Sequence, residues 1–171
     1  MGLFDFMKAK DKSQSSPASP VFPDTLWAAA KGTFVTMAEI PDEVFSTGVL
    51  GTCCGIDPAE GKVYAPADGK ISQLTDTLHA IGIEAGGVEI LVHVGVDTVD
   101  MNGDGFANKV KLNQIVKKGD LLLTMDLEKI RAAGHPATVI MAVTNTDDFS
   151  SVEEIASGTV QPGDNVMRIS K

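Results

Sequence analysis

Three histidines stand in the 171-residue chain: His79, His93 and His135. His93 lies in the run Val88-Glu89-Ile90-Leu91-Val92-His93-Val94-Gly95-Val96-Asp97. Read as a strand, its side chains alternate between two faces. Val88, Ile90, Val92, Val94 and Val96 then share a core face, and Glu89, Leu91, His93, Gly95 and Asp97 share the other. A histidine opposite an unbroken aliphatic row is displayed, and Gly95 on the same face leaves room for a reactant to approach. His79 closes Thr75-Asp76-Thr77-Leu78-His79. The Gly86-Gly87 pair accepts positive φ and reads as a hairpin turn. That hairpin folds the strand after His79 back along the strand that carries His93, so the two imidazoles are expected to meet. Paired imidazoles suit a metal site, or a phosphoryl transfer in which one ring nitrogen attacks and the other ring donates to the phosphoryl oxygens. Histidine fits the attacking role because its neutral form is a good nucleophile at pH 7. Thr77 is placed to hold the His79 ring in one tautomer. His135, in Gly134-His135-Pro136, reads as a turn residue.

The elements that must position this pair are β-strands. Apolar runs separated by Gly, Asp, Asn and Pro turns fall at 32–37, 49–56, 63–65, 70–74, 80–85, 88–94, 108–111, 121–125, 138–144 and 166–169. Such spacing predicts an all-β antiparallel sandwich or barrel. Asp126 reads as the N-cap of a short helix over 127–133 closed by Gly134, and 153–156 as one further helical turn. Residues 1–10, with Leu3, Phe4, Phe6 and Met7, form a candidate amphipathic segment too short to hold alone. Residues 11–25, rich in Ser and Pro between Ser13 and Pro23, read as a flexible linker, and 26–171 as one folded domain.

The net charge of −9 argues against nucleic acid and anionic membranes and favours a basic protein partner. No apolar run is long enough to cross a membrane. The N-terminus lacks a signal-peptide cleavage pattern and a myristoylation pattern. Cys53 and Cys54 are adjacent and read as two small buried strand residues in a reducing setting.

Leu91-Val92-His93-Val94-Gly95-Val96-Asp97-Thr98-Val99 resembles the phosphorylation-site signature of the glucose-type enzyme IIA family of the bacterial phosphoenolpyruvate-dependent sugar phosphotransferase system. The likeness extends through Ile40-Pro41-Asp42-Glu43-Val44-Phe45, Gly61 to Gly69, His79 to Ile83, Asn102 to Phe106, Val116 to Leu122 and Gly158 to Asp164. The resemblance implies a β-sandwich of the duplicated hybrid motif type. It also implies that His93 takes a phosphoryl group on Nε2 from HPr and donates it to the EIIB domain of a sugar permease. His79 would stabilise that group, Thr77 would orient His79, and the Gly95 backbone carbonyl would hold Nδ1 of His93. Asp42 and Asp97 would flank the site and meet a partner arginine, while Val44, Phe45, Val49 and Leu50 would form an apolar docking ring. The chain would be a cytoplasmic monomer, free or peripheral to the inner face of the membrane, serving glucose, N-acetylglucosamine or β-glucoside uptake. No cofactor is expected, and zinc only adventitiously or shared with a partner at His79 and His93.

Three other readings compete with this one. A biotinyl or lipoyl carrier needs a lysine at a Met-Lys-Met or Asp-Lys-Ala hairpin tip, which the sequence lacks. A zinc peptidase needs three protein ligands, and the two histidines supply two. Regulation through docking of the unphosphorylated chain on other proteins is compatible with the carrier reading.

Overall fold

The computed structural model describes residues 21–171, so the expected amphipathic segment 1–10 and most of the linker lie outside the described residues. The strands run in chain order as β1 Thr25–Trp27, β2 Gly32–Val35, β3 Thr52–Pro58, β4 Lys62–Tyr64, β5 Gly69–Leu74, β6 Ala80–Ala85, β7 Val88–Val94, β8 Phe106–Asn108, β9 Ile115–Val116, β10 Leu121–Met125, β11 Val139–Val143, β12 Ser151–Glu154, β13 Thr159–Val160 and β14 Asn165–Ser170. Two short helices, α1 Glu43–Ser46 and α2 Leu127–Ala132, interrupt them.

An eight-stranded sheet has the order β13-β2-β3-β11-β7-β6-β5-β9. Two three-stranded sheets, β4-β10-β8 and β1-β14-β12, complete the fold, and every pairing is antiparallel. The architecture is the all-β sandwich expected from the sequence.

The two faces of the large sheet bury different things. Val88, Ile90, Val92 and Val94 of β7 point inward with Ile81 and Ile83 of β6 and Val139, Met141 and Val143 of β11. There they join residues of the small sheets, among them Leu122, Leu123, Val166 and Met167, in one core. The outer face carries a second, smaller cluster of Ile40, Phe45, Cys53, Ile140 and Ala142, with Leu91 packed on it. Cys54 therefore belongs to the main core and Cys53 to the outer cluster, on opposite faces of β3.

Local chemistry explains the hairpin that matters most. Gly86 and Gly87 take φ of 57° and 94°, and the register runs from Ala85↔Val88 to Ala80↔His93. Asp126 caps α2 by accepting from the Lys129 amide, and Gly134 follows at φ 87°.

Two expectations are corrected. Residues 153–156 do not form a helical turn: Ser151–Glu154 pair with β14, where ladder bonds satisfy more backbone groups than one isolated turn. The strand expected from Val49 begins at Thr52, because Gly48 and Gly51 at φ 78° and 106° place Val49 and Leu50 in a turn.

The inner face gives a direct test. Ile83→Ala is expected to cost about 2–5 kcal/mol in chemical denaturation, because it opens a cavity in the main core. Gly87→Ala is expected to cost about 1 kcal/mol although open space surrounds that position, because its φ of 94° is one that L side chains rarely adopt.

Candidate functional site

Strand pairing fixes His93 on the outer face of the large sheet, flanked by Ala80 on β6 and Ile140 on β11. His79 directly precedes β6, and its carbonyl accepts the Val94 amide at 2.7 Å. The two ring centroids stand 5.0 Å apart with planes at 83°, as the hairpin argument required. Phe45 closes the other side of His93, with its centroid 5.0 Å away and tilted by 55°. His93 is half-buried and His79 is 8% exposed, so the pair sits in a depression with an apolar wall.

The short segment before β6 shapes His79. Thr77 Oγ1 lies 2.6 Å from His79 Nδ1, so the Thr77 hydroxyl governs that ring's tautomer. Between them Leu78 takes φ 62°, a left-handed conformation that branched and bulky side chains rarely adopt. Its side chain packs against the main core, which holds the strained residue in place. Sequence reading passed over Leu78, because nothing in a leucine announces positive φ.

Burial drives the electrostatics. Desolvation and the neighbouring His79 ring lower the His93 pKa to about 4, against upward pulls from the Gly95 backbone, Asp42 and Asp97. Desolvation lowers the His79 pKa as well. Near pH 7 His93 is therefore neutral and nucleophilic. Its Nδ1 is buried without a hydrogen-bond partner. Nε2 is thus the nitrogen left to a reactant.

The structure places the other expected residues as follows. Asp42 is half-buried and caps α1 by accepting from the Val44 amide at 2.9 Å. Asp97 is exposed at φ 61° beyond the end of β7, so the alternating row that was to carry Gly95 and Asp97 stops at Val94. Val44 and Val49 are exposed, and Leu50 is half-buried against the outer cluster. Phe45 departs from the expected docking ring: it is 3% exposed and serves as the wall behind His93, with its carbonyl accepting from Cys53 Sγ. Gly95 departs twice. The expected bond from its carbonyl to His93 Nδ1 is not made at hydrogen-bond geometry, although the Gly95 backbone still opposes the fall in His93 basicity. Its φ is 78°, and a Cβ there would strike Thr98 Cγ2, so the missing side chain serves packing of the following turn rather than access to the imidazole. Val99, exposed in the turn after Asp97, adds an apolar surface residue that sequence reading did not single out. Among the described residues no three His, Cys, Asp or Glu side chains gather as a metal site.

The all-β scaffold thus presents two edge-to-face imidazoles in an apolar depression. The comparisons agree. The family model for the phosphoenolpyruvate-dependent sugar phosphotransferase system, EIIA 1, matches residues 24–149, and the chain belongs to that family. It is 42% identical over 148 residues to the glucose-specific EIIA component of Bacillus anthracis, covering 85% of this chain and 90% of that protein. It is 45% identical over 148 residues to the glucosamine-specific EIICBA component of Bacillus subtilis, covering 85% of this chain but 24% of that longer protein. The solved glucose permease IIA from Mycoplasma capricolum superposes with a TM-score of 0.76 at 36% identity, covering 84% of this chain and 93% of that one. EIIA components are phosphotransferase carriers of the sugar phosphotransferase system, and that is the class of this chain.

The lowered pKa has a measurable consequence. Between pH 6.5 and about 4 an unfolded chain binds a proton that folded His93 refuses. Its contribution to stability is therefore complete above pH 6.5 and is lost as the pH falls toward 4. Histidine ring NMR shifts are expected to show one imidazole titrating near 4. All rings titrating near 6.5 would contradict the burial account.

Proposed function

We propose that His93 Nε2 accepts a phosphoryl group from HPr and passes it to the EIIB domain of a sugar permease. The observation that carries this reading is a neutral His93 whose Nδ1 is buried and whose ring meets His79 at 5.0 Å. In the accepting step the donor's P–N bond breaks and a bond from phosphorus to His93 Nε2 forms. The donor imidazole leaves with the electron pair. Thr77 donates to His79 Nδ1, which keeps a proton on His79 Nε2 for the phosphoryl oxygens. As the His93 ring gains positive character on phosphorylation, its Nδ1–H needs an acceptor, and a small shift of the Gly95 carbonyl supplies one. Transfer between two nitrogen nucleophiles involves little free-energy drop, so positioning and a dry pocket suffice.

Asp42 and Asp97 receive a partner arginine, and Val44, Val49, Leu50 and Val99 form the apolar rim that seals the encounter. Residues 26–171 act as the carrier unit, with 11–25 as a linker, and work in the cytoplasm. Among the described residues no helix is long and apolar enough to cross a membrane. The glucose, glucosamine and β-glucoside relatives support a hexose or β-glucoside permease as the final acceptor.

Incubation with phosphoenolpyruvate, enzyme I and HPr is expected to add one acid-labile phosphate, and His93→Ala to abolish it. His79→Gln is expected to accept phosphate yet lose at least about tenfold in transfer to EIIB, as removal of a positioned donor does. Normal transfer by His79→Gln would remove His79 from the mechanism.

A further inference from the structure

The turn that follows β7 is tied down unevenly around Gly95. In the peptide plane between Val94 and Gly95 both ends are held. The Gly95 amide donates to the Thr138 carbonyl at 2.7 Å, and the Val94 carbonyl accepts from the Thr98 hydroxyl. In the next plane the Val96 amide donates to the Pro136 carbonyl at 3.0 Å. Across a trans peptide the carbonyl points opposite its amide, so the Gly95 carbonyl faces away from Pro136. Among the described residues no donor is bonded to it. Its influence is felt at His93, where the Gly95 backbone opposes the loss of basicity.

Thr98 is the side-chain member of this clamp, whose other partners are main-chain carbonyls. It is wholly buried and opens the 3-10 turn Thr98–Met101. Its Cγ2 fills the space that a side chain at Gly95 would need, and its Oγ1 lies 3.3 Å from the same position. A β-branched residue is stiff at χ1, so hydroxyl and methyl act as one two-point grip.

We propose that Thr98 is a positioning residue for phosphoryl transfer, whose side chain sets the Gly95 carbonyl that receives the Nδ1–H of phosphorylated His93. The inference rests on the carrier reading above and adds what holds that acceptor ready. Neutral His93 that attacks through Nε2 already carries its proton on Nδ1. Phosphorylation leaves this buried N–H on a ring of more positive character, where an acceptor is worth most. Such a bond weakens steeply with poor alignment, so the acceptor has to be aimed. The plane before Gly95 is tied at both ends, so the carbonyl moves by turning the Gly95–Val96 plane. The Thr98 hydroxyl anchors the near end of that turn, and its methyl backs Gly95. Thr77 acts on His79 by a direct contact, and Thr98 acts on His93 through one peptide.

The test uses the full chain and reads three quantities. They are the kinetics of phosphate uptake from the phosphorylated donor, the melting temperature, and the pH midpoint at which phosphorylated His93 loses its Nδ1 proton, followed by the phosphorus NMR shift. An acceptor bonded to the protonated ring raises that midpoint, so loosening the acceptor lowers it. Thr98→Val removes the hydroxyl at nearly constant shape and is expected to lower kcat about tenfold, with KM unchanged and the midpoint shifted down. Thr98→Ser keeps the hydroxyl but loses the methyl and the χ1 restraint, and is expected to lower kcat about threefold with a smaller downward shift. Thr98→Ser leaves no carbonyl unpaired, so it decides the question if Thr98→Val fails to fold. A lower melting temperature with kcat and midpoint both unmoved marks a purely structural residue and overturns the proposal. A fall in kcat with an unmoved midpoint also overturns it, because Thr98 would then act elsewhere than on the Gly95 carbonyl. Both results leave the carrier reading intact, whereas failure of the unsubstituted chain to take phosphate on His93 overturns that reading and this one together.

Discussion

The chemistry depends on one desolvated imidazole. His93 is neutral because Phe45, His79 and the sheet withdraw it from water, and the opposing pulls of Asp42, Asp97 and the Gly95 backbone are too weak to restore its basicity. A more exposed ring would spend part of its time protonated as the pH falls and would leave any phosphoryl adduct open to hydrolysis. The fold serves that requirement. β7 is central, paired on one side with β6 and on the other with β11, so His93 has little freedom to swing outward. His79 is tied to the same place by its carbonyl, which accepts from Val94, and by its ring, which meets Thr77.

The large sheet performs two jobs by keeping its faces apart. The inner face is apolar and joins the small sheets in the main core. The outer face builds a local cluster around Phe45, Ile140 and Ala142 that supports the reactive ring from behind. Cys53 belongs to that support: burial pushes its thiol up to about 12, so it behaves as a small apolar residue. Charge is arranged around this apolar ground, with Asp42 and Asp97 beside the ring and Glu84 and Glu89 further along the sheet.

Much of this was legible in the sequence because it depends on short-range rules. The period-two row of Val88, Ile90, Val92 and Val94 identifies β7 and its core face, and Gly86-Gly87 identifies the hairpin, which together bring His79 to His93. Thr77 follows from its place two residues before His79, and the family motifs added Asp42 and Asp97 as expected neighbours of the ring. What could not be read was long-range or conformational. The wall position of Phe45 follows from a four-residue helix docking against His93 and Ile140, which lie far along the chain. The positive φ of Leu78 and Asp97 depends on packing that residue types do not encode. The pairing of 151–154 with β14 overrode a weak local helical preference.

The central claim is that burial leaves only one nitrogen of His93 open to reaction. The most direct measurement is phosphorus–nitrogen coupling in the NMR spectrum of the phosphorylated chain labelled with 15N at histidine. The account predicts a single phosphohistidine, bonded through Nε2 of His93. A phosphoryl group on Nδ1 of His93, or on His79, would contradict it.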